Sequence, residues 1–416
     1  MAYQFTELTA AEFTNFEQQS SAGTYVQSAK QVELLKRRGY QTWTVGVKDG
    51  SEVVAAALIM HETVRLGNVL SIDHGPLLDF KQPDLMQFFM AGLIKFAQEH
   101  NTLYLEVRPN VTYQLTDDHG AALSPVNDEF MHQMNQLGFV HQPFAEGMST
   151  SGSPEWEYVK DLSAITDVAT LHASYDKKAL YYLKKNAQFG IKLRYLKRAD
   201  LPDFKQLTQT TAERLNYHDK NLNFYETAYD VYGDGVTYVF AELNFADYQA
   251  EEQKKVAELD QKLTQIQDKI TKYPDNDKFK RQYAEFDSQK DAHVKRIEQA
   301  NAQQGAAGQA TVVVAGAMFI QTPQEITYLY SGTYAEYMEY YGPYQIQDAM
   351  LTKAVKAGIK RFNFYGIAGK FDGSDGVLGF KTVFGGYARQ LVGNFVLPVQ
   401  PTKYRIYRLL KKIIGR

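Results

Sequence analysis

The sequence predicts an α/β (α+β) protein of two similar units, with an antiparallel coiled-coil helical hairpin inserted in the second. Three observations carry this. Strand-like and helix-like patterns alternate up to Gln142 and resume at Trp156. Between them Ser149-Thr150-Ser151-Gly152-Ser153-Pro154 breaks the composition and marks a boundary. From Val256 the apolar positions Val256, Leu259, Leu263, Ile266, Ile270 and Tyr273 fall at gaps of 3, 4, 3, 4 and 3, which is a coiled-coil seam.

In the first unit, Ala29–Arg38 is expected to be a helix. Tyr40–Val47 and Glu52–Glu62 pair around Lys48-Asp49-Gly50. Asp84–Gln98 repeats apolar residues at helical spacing, and the strand Thr102–Val107 follows. A helix Phe130–Leu137 ends at Gly138, before the strand Phe139–Gln142. In the second unit Trp156–Leu162 is a strand and Val168–Gly190 one helix. The strand Ile191–Tyr195, the helix Leu201–Leu215 and a strand from Thr237 to Glu242 come next. The hairpin turns at Pro274-Asp275-Asn276-Asp277 and returns through Phe279, Tyr283, Phe286, Val294 and Ile297 to the linker Gln303–Gly308. Arms of roughly 22 residues would span about 33 Å. Its charges balance, 11 basic against 11 acidic from Glu251 to Glu298, so it is no polybasic clamp. Then come the strand Thr311–Ile320, a strand from Tyr328 running into a glycine turn at Gly332, the helix Gln345–Lys356, and the strand Arg361–Tyr365.

Composition bounds the function. The 416 residues include no cysteine, which excludes disulfides, thiolate metal sites and cysteine nucleophiles and suits the cytoplasm. The start of the chain has neither a basic nor an apolar signal segment. Apolar runs such as Val53–Met60 fall far short of the ~20 residues of a membrane span. A net charge of −3 means that a polyanion must meet a local basic patch.

The segment from Lys177 to Ala199 supplies such a patch. It holds Lys177, Lys178, Lys184, Lys185, Lys192, Arg194, Lys197 and Arg198 with no acid, interleaved with tyrosines. Cations neutralise phosphates and aromatic rings stack on bases, though an ordinary solvated helix carries the same pattern. Thr211 and Arg214 share a helical face that suits a phosphate or carboxylate, with Tyr217 nearby. Lys381 follows Phe380 among Gly379, Gly385 and Gly386. A lysine among aromatics is a point charge for a phosphate or an oxyanion. The plain alternative is a buried strand bearing a solvated lysine. Asp348 and Asp372 read as solvated carboxylates. The histidines show no metal-ligand spacing, and Walker A, GxGxxG, HExxH and GxSxG patterns are absent.

These features in this order resemble the FemABX family of peptidoglycan aminoacyltransferases along nearly the whole chain. Gln27-Ser28 with Lys36 is similar to that family's early substrate segment. Tyr328–Thr333, Pro343, Gly358, Tyr365-Gly366, Gly379-Phe380-Lys381 and Phe384-Gly385-Gly386 are similar to its late signature, and the hairpin to its coiled-coil arm. The chain departs from the pattern in Arg37-Arg38 after Lys36 and in Ser331-Gly332-Thr333, where a glycine pair is common. The resemblance implies two N-acetyltransferase-like domains, 1–155 with about 393–416 and 156–392, with the hairpin at 246–303. It implies transfer of an amino acid from aminoacyl-tRNA to the stem peptide of a UDP-linked or lipid-linked muropeptide precursor, with no other cofactor and no metal. Lys381 would be catalytic. Lys36, Arg38, Thr211, Arg214, Tyr217, Tyr328, Tyr365 and Phe380 would bind substrate, and Lys177, Lys178, Lys184 and Lys185 would bind tRNA. A non-enzymatic tRNA-binding scaffold would leave Lys381 dispensable. An acyl-CoA N-acetyltransferase would need a Q/R-x-x-G-x-G/A loop, which Gln303–Gly308 does not match. The segment Pro401–Arg416 is basic and apolar together, suited to the face of an anionic membrane or to docking on the protein body.

Overall fold

The computed structural model describes residues 3–145, 147 and 152–414; Ser149–Ser151 of the expected boundary lie outside the described residues. Two sheets organise the chain. The first runs in the order β1 (Tyr3–Glu7), β2 (Gln41–Asp49), β3 (Glu52–Val64), β4 (Gly67–Asp73), β5 (Thr102–Arg108), β15 (Phe395–Pro398) and β7 (Val140–His141). The second runs β6 (Thr112–Thr116), β14 (Tyr387–Leu391), β8 (Trp156–Asp161), β13 (Arg361–Gly366), β12 (Glu325–Thr333), β11 (Thr311–Gln321), β10 (Val236–Asn244) and β9 (Lys192–Tyr195). Each sheet has one parallel pair, β4 with β5 and β12 with β13, each bridged by a helix, Pro83–Glu99 and Gly342–Lys356. Two strands cross over. β15 enters the first sheet between β5 and β7, and β6 pairs with β14 at the edge of the second.

Burial explains the apolar runs. β11 is buried almost throughout from Val312 to Ile320 because helices cover both its faces. A Cβ on Gly316 would lie 2.7 Å from Leu207 of the helix Leu201–Leu215. One on Gly342, in the helix opposite, would lie 2.6 Å from Val314. Gly332 sits inside β12, paired with Gly316, and not in a turn. A Cβ there would meet the Leu207 carbonyl at 2.8 Å, so this strand position needs glycine for close helix packing.

The hairpin is longer than expected. Its arms, Phe245–Lys272 and Asp277–Ala307, have 28 and 31 residues, about 42 and 46 Å. Gln303–Ala307 continue the second helix, and Gly308 ends it in a left-handed conformation. The seam is buried at Leu259, Leu263 and Ile266, partly buried at Val256 and Ile270, and exposed at Tyr273 beside the turn. At the root the buried Glu252 accepts from Lys255 (2.5 Å) and pairs with His293 (2.7 Å), tying the arms together. Val168–Gly190 is two helices, Val168–Ala173 and Lys177–Phe189. Asp176 caps the second by accepting from the Lys178 N–H, which starts a new helix where a continuous one was expected. A helix Leu222–Tyr232 lies where none was assigned.

Candidate active site

The second sheet opens where the first stays closed. β4 and β5 pair as far as Asp73 opposite Arg108. β12 and β13 pair only over Glu325–Thr327 against Arg361–Asn363. Beyond that point β12 remains bonded to β11, and β13 to β8. The carboxyl ends of two adjacent parallel strands are thus left unpaired to each other, the place where open α/β sheets hold ligands.

Lys381 reaches this opening. It lies on a helix, Gly376–Thr382, and not on a strand. Asp375 begins that helix by accepting from the Val377 and Leu378 N–H groups at 2.9 and 3.1 Å. The lysine is not solvated: it is 3% exposed. Its Nζ donates to the carbonyls of Gly366 (2.6 Å) and Tyr365 (3.2 Å) at the end of β13. An ammonium has three N–H donors, so one proton remains for a ligand. Burial pushes its pKa down to about 7, although Asp375 and Glu157 favour the charged form.

The carbonyls that hold Lys381 are themselves aimed. Tyr365 has φ +65°, an uncommon conformation for a non-glycine residue. Its N–H donates to Asn363 Oδ1 at 2.7 Å, and Asn363 Nδ2 donates to Glu157 Oε1 at 3.2 Å. Burial alone would raise the Glu157 pKa, but Arg389 at 3.6 Å and His74 at 3.9 Å outweigh it and keep the carboxylate charged. Asn363→Ala would orphan the Tyr365 N–H and remove a donor from a buried carboxylate. The expected cost is about 2–4 kcal/mol in urea unfolding, with a larger relative loss of turnover than of acceptor binding.

An aromatic and cationic wall continues from Tyr365. The Tyr25 hydroxyl donates to the Tyr365 hydroxyl at 3.1 Å. Tyr330 lies within electrostatic range of Tyr25, Tyr365, Arg38, Asp219 and Tyr217. The Arg38 guanidinium sits 5.3 Å from the rings of both Tyr40 and Phe224. Lys220 sits 5.9 Å from the other partner ring, Phe224, and its pKa is lowered by burial and then by Arg38. Both cations thus lie within 6 Å of the Phe224 ring, and the Asp219 carboxylate partly offsets their repulsion. Arg214 donates to the Thr333 hydroxyl at 3.1 Å, and Tyr217 is half-exposed beside it in sequence. Thr211 is buried and its hydroxyl is used internally, bonding the Leu207 carbonyl and the backbone of Thr333. Tyr328 is partly buried and stacks on Phe319. Lys36 is exposed at the end of its helix.

The basic run divides in space. Lys192, Arg194 and Arg198 pair with Asp247, Glu242 and Asp230. Among the described residues no ion pair involves Lys177, Lys178, Lys184 or Lys185. These share one helix with the exposed Tyr181, over whose ring Lys185 lies at 5.5 Å. Tyr182 of that helix stacks on Tyr341 (4.2 Å) and packs on Tyr344 (4.5 Å). Tyr344 in turn meets Phe380, next to Lys381, at 5.1 Å. Aromatic rings therefore run from the unpaired lysines to the Lys381 helix.

One expectation needs correction and several residues were missed. Asp348 is no solvated carboxylate: it pairs with His172 at 2.8 Å and accepts from Tyr175 at 3.0 Å. Asp372 is a surface turn residue, as read, accepting from Ser374. Lys220, Tyr25, Asn363 and Glu157 carried no local pattern. Lys220 stood three residues past Tyr217 and Tyr25 two before Gln27-Ser28, while Asn363 lay inside the expected strand Arg361–Tyr365.

A buried lysine facing an opened parallel strand pair, beside aromatic rings, makes a ligand site at the carboxyl ends of the strands of a two-sheet α/β protein. Residues 8–412 match the FemAB family. "Aminoacyltransferase FemA" of Staphylococcus aureus strain N315 is 32% identical over 421 residues, covering 99% of each chain; that of strain MW2 is 31% identical. The solved "Crystal structure of FemX" covers 97% of this chain and 99% of its own, with a TM-score of 0.75 at 18% identity, a likeness of fold. The chain belongs to the FemAB family.

Proposed function

We propose that the protein transfers an amino acid from aminoacyl-tRNA to the stem peptide of a peptidoglycan precursor, building the interpeptide bridge. The acceptor is the side-chain amine of the third stem residue or an amino acid already added to it. The single observation that carries this reading is Lys381, buried with one free N–H at the opened strand ends. The family and the named relatives supply the reaction class.

The chemistry follows from the charges. The acceptor amine attacks the ester carbonyl of the aminoacyl group, and negative charge develops on the carbonyl oxygen. The Lys381 ammonium stabilises that charge in a place shielded from water. The amide forms, the ester C–O bond breaks, and the proton lost by the amine goes to the departing ribose oxygen. The ester is already activated, so neither ATP nor a metal takes part. Arg38 and Lys220 suit the diphosphate of a UDP-linked or lipid-linked carrier. Lys177, Lys178, Lys184 and Lys185 suit tRNA phosphates, and the Tyr182–Tyr344–Phe380 rings offer stacking surfaces toward the ester. This reaction places the protein in the cytoplasm, where charged tRNA is found.

The test is transfer of labelled amino acids from a charged tRNA pool to UDP-linked and lipid-linked pentapeptide. Label in either acceptor, lost on prior deacylation of the tRNA, supports the reading. No label in either, or in a precursor already carrying one bridge residue, overturns it.

A further inference from the structure

The helix Pro401–Ile414 presents two apolar faces. The inner one is aromatic. Tyr404 and Tyr407 pack on Tyr104 of β5, with ring centroids 5.0 and 6.0 Å away, and Tyr407 is buried. The chain enters the helix pinned, since Gln400 donates to the carbonyls of Asn101 (3.0 Å) and Thr102 (3.3 Å). Docking on the protein body is thus complete without any aliphatic side chain from the opposite side.

That opposite side is aliphatic and bare. Ile406, Leu409 and Ile413 are 48, 62 and 79% exposed. At 100° per residue they fall within about 60° of one another, roughly opposite Tyr404 and Tyr407. Arg405 and Lys412 flank the stripe on one side and Lys403 on the other, with Arg408 further round. The helix holds five cations and no acid, in a chain of net charge −3. A protein partner of ordinary acidity would match the cations but would need its own apolar stripe. An anionic bilayer matches both, because its headgroups meet the cations while its acyl boundary takes the three aliphatic side chains.

We propose that this outer face seats the protein on the surface of an anionic phospholipid bilayer, with the helix lying in the interface plane. The seat holds the whole protein, through Tyr104, at the surface where a lipid-linked acceptor is embedded. Its relevance to catalysis rests on the proposed function; the binding itself does not.

Full-length protein is spun with vesicles of phosphatidylcholine alone and of phosphatidylcholine with 30% phosphatidylglycerol, at low and high salt. Wild type is expected to pellet with the anionic vesicles, to be released by salt, and to stay in solution with the neutral ones. Leu409→Glu with Ile413→Glu, at two exposed positions, should weaken binding at least tenfold while thermal unfolding and transfer to a UDP-linked acceptor stay unchanged. Lys411 lies against Tyr407, so the charge test uses Arg405→Gln with Lys412→Gln, which should cut binding and its salt dependence. Failure to bind anionic vesicles, equal binding to both vesicle types, or undiminished binding by both paired variants would overturn the proposal. A shift of wild type to a dimer that the Glu pair abolishes, without vesicle binding, would overturn it in favour of a second copy of the chain. Transfer failing while vesicles are bound would count against the proposed function alone.

Discussion

Lys381→Met is expected to lower the turnover of aminoacyl transfer by about a thousandfold, with acceptor Kd changed less than threefold. The substitution removes one charged donor from a developing oxyanion, where a single oxyanion-hole group is worth about 10²–10³, or about 3–4 kcal/mol. Methionine keeps the length and fills the space, so the buried helix face is retained. The native ammonium is also costly to bury: its pKa falls from 10.5 to about 7. Folding therefore favours the neutral amine, and the unfolded chain binds more protons between these values. Wild-type stability should rise with pH across that window, by at most about 1.4 kcal/mol per unit, and the Met variant should lose this slope. A rate loss in the Met variant with no change of pH slope would show that the lysine is charged and solvated in solution.

Arg38→Ala combined with Lys220→Ala should raise the acceptor Kd by about 10–100-fold and leave turnover at saturation within a few-fold. Each charge-assisted bond to a phosphate contributes about 1.5–3 kcal/mol, less where solvent reaches it. The two cations face one ring, Phe224, and Arg38 contributes to the lowered pKa of Lys220, so the anion relieves a repulsion the free protein carries. Their effects should not add: the second substitution costs less once the first is made. Binding measured against salt should lose slope in the double variant. A pure turnover defect with unchanged Kd would move the carrier's phosphates elsewhere.

Elements with long, regular periods were legible in the sequence. The 3, 4, 3, 4, 3 seam marked the hairpin, and Leu201–Leu215 matches its helix end to end. What escaped was non-local or set by one residue. No local pattern in Thr112–Thr116 shows that it pairs with Tyr387–Leu391, and none in Phe395–Pro398 shows that it slots beside β5. Asp176 and Asp375 were the overlooked cues, since a capping aspartate turned an expected long helix into two and an expected strand into the Lys381 helix. At the site, Lys381, Phe380, Tyr365 and Arg38 were visible through the resemblance. Asn363 and Glu157 were not, because their part is to aim the Tyr365 carbonyl, a backbone effect with no signature in residue order.

The most direct test of a charged, buried Lys381 at the reacting ester is kcat/KM for transfer from pH 6 to 9, in wild type and Lys381→Arg. The attacking amine gains reactivity as it deprotonates, while the lysine loses its ammonium above about 7. The two trends oppose, so the wild-type curve should climb to about pH 7 and then level. The Arg variant, whose guanidinium stays charged, should be slower but keep climbing past that point. An unbroken climb in wild type, or the same break in both proteins, would contradict the assignment of Lys381.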